Sequence, residues 1–181
     1  MKDIKSYKEQ IKRILTSEEL REFNRDTSSL IDFGYEYVEL GDYKRAFKLF
    51  SLGARINGSD PDTLNGLGIS LCEMGKFKAS KLILEKAAEM YPGDAVTLAN
   101  LAGVYWEEYE ADKAVYYYNK SLEMDPSIPE THFNLINLYY EQGDLFMAYI
   151  TCLNLLEVCP DEEQALELRD EILLNLGLSL C

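Results

Sequence analysis

Apolar positions return along this chain with two nested periods. Within short stretches they fall three and four residues apart, the spacing of one buried helix face. These stretches themselves return every 34 positions from residue 27 to residue 162, with no insertion or deletion. The first columns of the period hold Leu30, Leu64, Leu98 and His132; then Phe33, Leu67, Leu101 and Leu135; then Tyr37, Leu71, Tyr105 and Tyr139. Further on come Ala46, Ser80, Ala114 and Ala148, then Phe50, Leu84, Tyr118 and Cys152, and each segment closes on Gly58, Pro92, Pro126 or Pro160. The pattern predicts two helices per segment, over about columns 1–14 and 17–30, with turns at residues 40–43, 74–77, 108–111 and 142–145. Pro61 and Pro129 fall at first helical positions, where the missing N–H costs nothing. A hairpin this small cannot bury its own apolar face and must stack on its neighbours. No Gly/Ser linker or low-complexity run interrupts the array, so no internal boundary is expected.

These columns resemble the tetratricopeptide repeat family. The resemblance covers residues 27–60, 61–94, 95–128 and 129–162, with N-terminal helices over 1–26 and a C-terminal capping helix and apolar tail over 163–181. It implies an all-α fold, a right-handed helical solenoid of four tandem repeats. Gly53, Gly58 and Ser80 depart from the family's usual small residues and proline, and Tyr109 stands where the other repeats carry Gly41, Gly75 and Gly143. That column ends the first helix in a left-handed conformation. A tyrosine there is strained by about 1 kcal/mol, so the third turn is expected to be reshaped.

Composition narrows the partner class. A net charge of -14 argues against nucleic acid, which needs a basic surface, and against anionic membranes approached through the repeat body. No run of apolar residues is long enough to span a bilayer, and MKDIKSYKEQIKRIL mixes charge with apolar residues as a secretory signal does not; the expected location is cytoplasmic. Cys72, Cys152, Cys159 and Cys181 form no CxxC pair and are expected as reduced thiols. What remains is protein or peptide.

The ends carry their own patterns. Residues 3–15 place Ile4, Tyr7, Ile11, Ile14 and Leu15 at helical spacing, with Lys5, Lys8, Lys12 and Arg13 among the remaining positions. Thr16 and Glu19 read as a capping box opening a second short helix. Leu166, Arg169, Ile172, Leu173 and Leu176 follow one face of a terminal helix whose other side is acidic, as a cap requires. The N-terminal helix and the tail GlyLeuSerLeuCys are candidate homodimer contacts, the bland alternative being that each covers its own end of the array.

In the family that the repeats resemble, first helices line the inner groove, at columns 2, 5, 9, 12 and 13. The resemblance thus assigns a peptide-binding groove to Ile31, Asn65, Ala99 and Phe133; to Tyr35, Ile69, Gly103 and Asn137; and to Val38, Cys72, Trp106 and Tyr140. Column 13 holds Glu39, Glu73, Glu107 and Glu141. Carboxylates beside an apolar floor suit an extended or helical segment bringing aliphatic side chains and some Lys or Arg. Two bland readings stand beside this one: the glutamates serve helix propensity and solubility, and Tyr35, Tyr140 and Phe133 pack between layers. Trp106 is the strongest anchor, because the core columns around it are already filled.

The family's clamp for C-terminal carboxylates of heat-shock chaperones uses Lys, Asn and Arg at positions that here hold Ile31, Tyr35, Gly66, Val96 and Asn100; the clamp is absent. Size, acidity and the ThrSerGluGluLeu helix start are similar to bacterial type III secretion chaperones of translocator proteins, although four repeats replace three. For an enzyme the sequence offers little. His132 lies in a core column, and no phosphate loop, nucleophile–base pair or metal-ligand spacing is present, so no catalytic residue, cofactor or metal is expected.

Overall fold

The computed structural model describes residues 13–15 and 27–178. Among these, all regular structure beyond Arg13 and Ile14 lies in nine α-helices that fall into two compact units, one up to Pro92 and one from Gly93. The first contains α1 (Thr27–Glu39), α2 (Tyr43–Ile56), α3 (Pro61–Glu73) and α4 (Phe77–Met90). The second contains α5 (Ala95–Glu107), α6 (Ala111–Met124), α7 (Pro129–Glu141), α8 (Leu145–Val158) and α9 (Glu163–Asn175). Helix starts keep the 34-residue period throughout, and α9 enters in phase as a fifth first helix. The sequence has no linker where the units divide.

Aspartates set several of these starts. The carboxylates of Asp42 and Asp144 accept from the backbone N–H of Arg45 and Met147 at 3.1 and 3.0 Å, and those of Asp60 and Asp94 from Thr63 and Thr97 at 2.7 and 3.2 Å. Each bond satisfies an N–H that the helix itself leaves without a partner. The first helices end alike. Gly41, Gly75, Gly143 and Gly177 have φ between 70 and 76°, and the next residue donates back across the turn, as Asp42 N–H does to Tyr37 C=O at 2.9 Å. The third turn is not reshaped, which corrects the expectation drawn from its tyrosine. Tyr109 itself takes φ 61°, and Glu110 N–H reaches Tyr105 C=O at 2.9 Å. Both bonds of the motif are kept, so the strain stays at one residue.

In the first unit α2 packs against both α1 and α3, and α3 against α4. Phe50 on α2 is fully buried, its ring seated against the bare backbones of Gly34 and Gly66; an added Cβ would lie 2.6 and 2.3 Å from the ring. Ser80, in the small-residue column, donates to Gly68 C=O at 2.6 Å. Leu15 is buried with Leu30, Leu49 and Leu52, and Ile14 packs half-buried against the same cluster. The rest of the predicted N-terminal helices, and residues 179–181 of the tail, lie outside the described residues.

In the second unit α6 packs on α5 and α7, and α8 on α7 and α9. Leu98, Leu101, Tyr118, Leu135, Ile136 and Leu155 fill its core. Ser121 donates to Ala95 C=O at 2.7 Å, and the Cys152 thiol to Ala165 C=O at 3.1 Å. Burial raises the pKa of that thiol, which is therefore held protonated. His132 is buried, Nε2 donating to Pro126 C=O at 2.9 Å. Ala165 and Ile172 of α9 are fully buried, while Glu163, Glu167 and Glu171 are exposed on its other positions.

Candidate peptide-binding faces of the first helices

Each unit presents its own first-helix face. In the first unit α1 carries Ile31, Tyr35 and Val38 half-buried, and α3 carries Ile69 and Cys72 likewise. Asn65, assigned to this face by its column, is buried at 1% exposure. Tyr35 is held between the two helices: its ring meets Phe50 edge-on, centroids 5.1 Å apart, and its hydroxyl donates to Asp62 C=O at 3.1 Å. Glu39 and Glu73 are exposed. Glu73 lies close enough to Tyr43 for its charge to raise the pKa of that phenol, which marks a local negative potential.

In the second unit α5 brings Ala99, Gly103 and Trp106 half-buried, and α7 brings Phe133 and Tyr140 half-buried with Asn137 exposed. Tyr140 is occupied. Its hydroxyl donates to Glu171 at 3.1 Å and accepts from Asn175 Nδ2 at 2.6 Å, both on α9. The Glu171 carboxylate raises the pKa of that phenol chiefly through this hydrogen bond. The side chains of Trp106 and Phe133 make no hydrogen bond or ring stack with a described residue. Gly103, one turn before Trp106, is not required by packing, since a Cβ there would meet only the Tyr118 hydroxyl, at 3.5 Å. It is half-buried and lies three residues before Trp106, on the same side of the helix. Glu107 and Glu141 are exposed.

Sequence reasoning did not include Asp62, Glu171 and Asn175, the groups that hold the two tyrosines. Asp62, though, is named by the period, because it stands one position after the proline that opens α3. Val96, in groove column 2, is 46% exposed at the start of α5. Among the described residues no group of His, Cys, Asp or Glu is arranged to hold a metal ion, and Cys72, Cys152 and Cys159 are joined in no disulfide. The arrangement offers apolar and aromatic contact beside carboxylates.

The family profile described as "Tetratricopeptide repeat" matches residues 95–128, which are α5 and α6 with their turns. The chain is a tetratricopeptide repeat protein by fold. A thermophilic tetratricopeptide protein of Thermus thermophilus, TTC0263, superposes with a TM-score of 0.76 at 21% identity, over 88% of this chain and 86% of that one. MamA from Desulfovibrio magneticus RS-1 gives 0.62 at 21% identity, over 77% and 79%. The first tetratricopeptide domain of Spaghetti (RPAP3), solved with the HSP90 peptide SRMEEVD, gives 0.58 at 15% identity, over 67% and 96%. No curated protein matches the sequence.

Proposed function

We propose that this tetratricopeptide chain is a non-enzymatic protein-interaction module, holding an extended or helical segment of a partner protein against its first-helix faces. The observation that carries this reading is the second unit's face: Ala99, Gly103, Trp106 and Phe133 are half-buried, the Trp106 side chain makes no hydrogen bond or ring stack with a described residue, and Glu107 and Glu141 are exposed. An aromatic body on a half-buried apolar face takes an aliphatic side chain, and the carboxylates favour Lys or Arg beside it. The peptide SRMEEVD of the Spaghetti complex is itself acidic. The glutamate column would repel such a ligand, so the preferred segment here is of opposite charge. No described helix is long and apolar enough to cross a membrane. A cytoplasmic assembly scaffold or co-chaperone is the role that fits best. The narrower reading, a type III secretion chaperone, rests on size, acidity and the helix start; a fifth first helix in phase moves the chain further from a three-repeat array.

Cross-linking from a photoreactive residue placed at Asn137, followed by mass spectrometry, would identify the bound segment. That segment, titrated into the purified protein, should shift Trp106 fluorescence, and Trp106→Ala should weaken binding by about 2 kcal/mol, roughly thirtyfold, with the helical signal unchanged. Unaltered affinity in Trp106→Ala would move the site off this face.

A further inference from the structure

The second helices of the repeats differ sharply in charge. Helix α2 carries Lys44, Arg45, Lys48 and Arg55 and no acid, while α8 carries Glu157 as its sole charge. In the first unit, the side of α2 that faces Arg13 and Ile14 encloses a cleft of about 490 Å³ lined by Arg13, Ile14, Phe47, Lys48, Leu52 and Arg55, with Ser51 at its side. The floor is apolar: Leu52 is buried, and Ile14 and Phe47 are half-buried against the same core. The rim is cationic. Arg13 and Lys48 form no ion pair with a described residue, and Lys76 reaches over the Phe47 ring at 5.9 Å. No carboxylate of a described residue lines the cleft.

A basic rim around an apolar floor is unexpected in a chain of net charge -14. Lys and Arg usually cover apolar surface with their stems while their charges find water or a partner. Here three of them border a concavity large enough to enclose an apolar side chain. We propose that this cleft is a second binding site, separate from the first-helix faces and opposite in polarity, for an acidic peptide segment of a partner protein that inserts a large apolar side chain between Ile14, Phe47 and Leu52. Charge complementarity selects the occupant. The strongly negative remainder of the chain would repel a polyanion or an anionic bilayer, whereas a short peptide brings only a few charges to the one basic rim.

A labelled synthetic peptide in which Glu and Asp alternate with Phe and Leu, followed by fluorescence anisotropy against the full chain, tests this directly. Saturable binding is expected, weakening roughly tenfold from low to physiological salt. Lys48→Glu with Arg13→Glu should reduce it at least about tenfold, Lys48→Arg should retain it, and Ser51→Trp should block it by filling the cleft without a change of charge. Thermal melts establish that each variant is folded. No saturable binding, equal binding by the charge-reversed and cleft-filled variants, or loss of binding on Trp106→Ala would overturn the site. Tighter binding to phosphatidylserine vesicles or to a single-stranded oligonucleotide than to the peptide would overturn the choice of occupant.

Discussion

Tyr109 shows how far one residue can be strained without altering the turn around it. Its φ of 61° is close to the value that glycine takes in the other repeats, and its side chain is 96% exposed, so no packing compensates. The left-handed conformation costs an L-residue about 1–2 kcal/mol. The two backbone hydrogen bonds of the turn, from Tyr109 to Trp106 and from Glu110 to Tyr105, are made regardless, and the helix pair they join is fixed by its core. Tyr109→Gly should therefore stabilise the protein by about 0.5–1 kcal/mol, after the greater freedom of glycine in the unfolded chain is deducted. The melting temperature should rise by about 2–4 °C per kcal/mol. A fall on Tyr109→Gly would show that the exposed ring contributes to stability after all.

Helix positions were legible because the period is unbroken. Expected spans of columns 1–14 and 17–30 became 1–13 and 17–30, and the terminal helix took the same phase. What each face does with its side chains was less legible, because a column gives direction and not depth. Tyr35 and Trp106 stand at neighbouring groove columns, yet Tyr35 is tied to Asp62 C=O and Phe50 while the Trp106 side chain has no such tie. Asn65 shares a column with Phe133 and is buried, a difference that depends on how closely two helices approach. In the first unit that approach is set by glycine. Gly66→Ala would drive a Cβ into the immobile Phe50 ring and should cost about 1–3 kcal/mol, more than the helix propensity that alanine regains. Gly103→Ala meets only an ordinary contact and should stabilise by up to about 1 kcal/mol. Paired denaturant titrations check the contrast, and equal effects of the two substitutions would refute the packing account.

At the scale of the molecule, charge is divided unevenly. Residues 1–55 hold 11 of the 18 Lys and Arg against 10 acids, leaving 22 of the 32 acids to the remainder. A basic N-terminal segment tethered to acidic first-helix faces could either cover the first repeat or occupy a groove, and the described part of it favours the cover. Leu15 is 5% exposed among Leu30, Leu49 and Leu52, with Ile14 packed beside it. Leu52 would otherwise be an exposed apolar residue on α2, in the column that holds Lys86, Lys120 and Asn154 in the other repeats. Leu15→Ala should then cost about 2–3 kcal/mol of stability, because three buried leucines lose their covering side chain. Deletion of residues 1–15 should lower the melting temperature further and leave affinity for a groove ligand unchanged or weaker. Tighter ligand binding by the deleted protein, without loss of stability, would instead mean that the segment competes for the groove and that the packing of Leu15 contributes little.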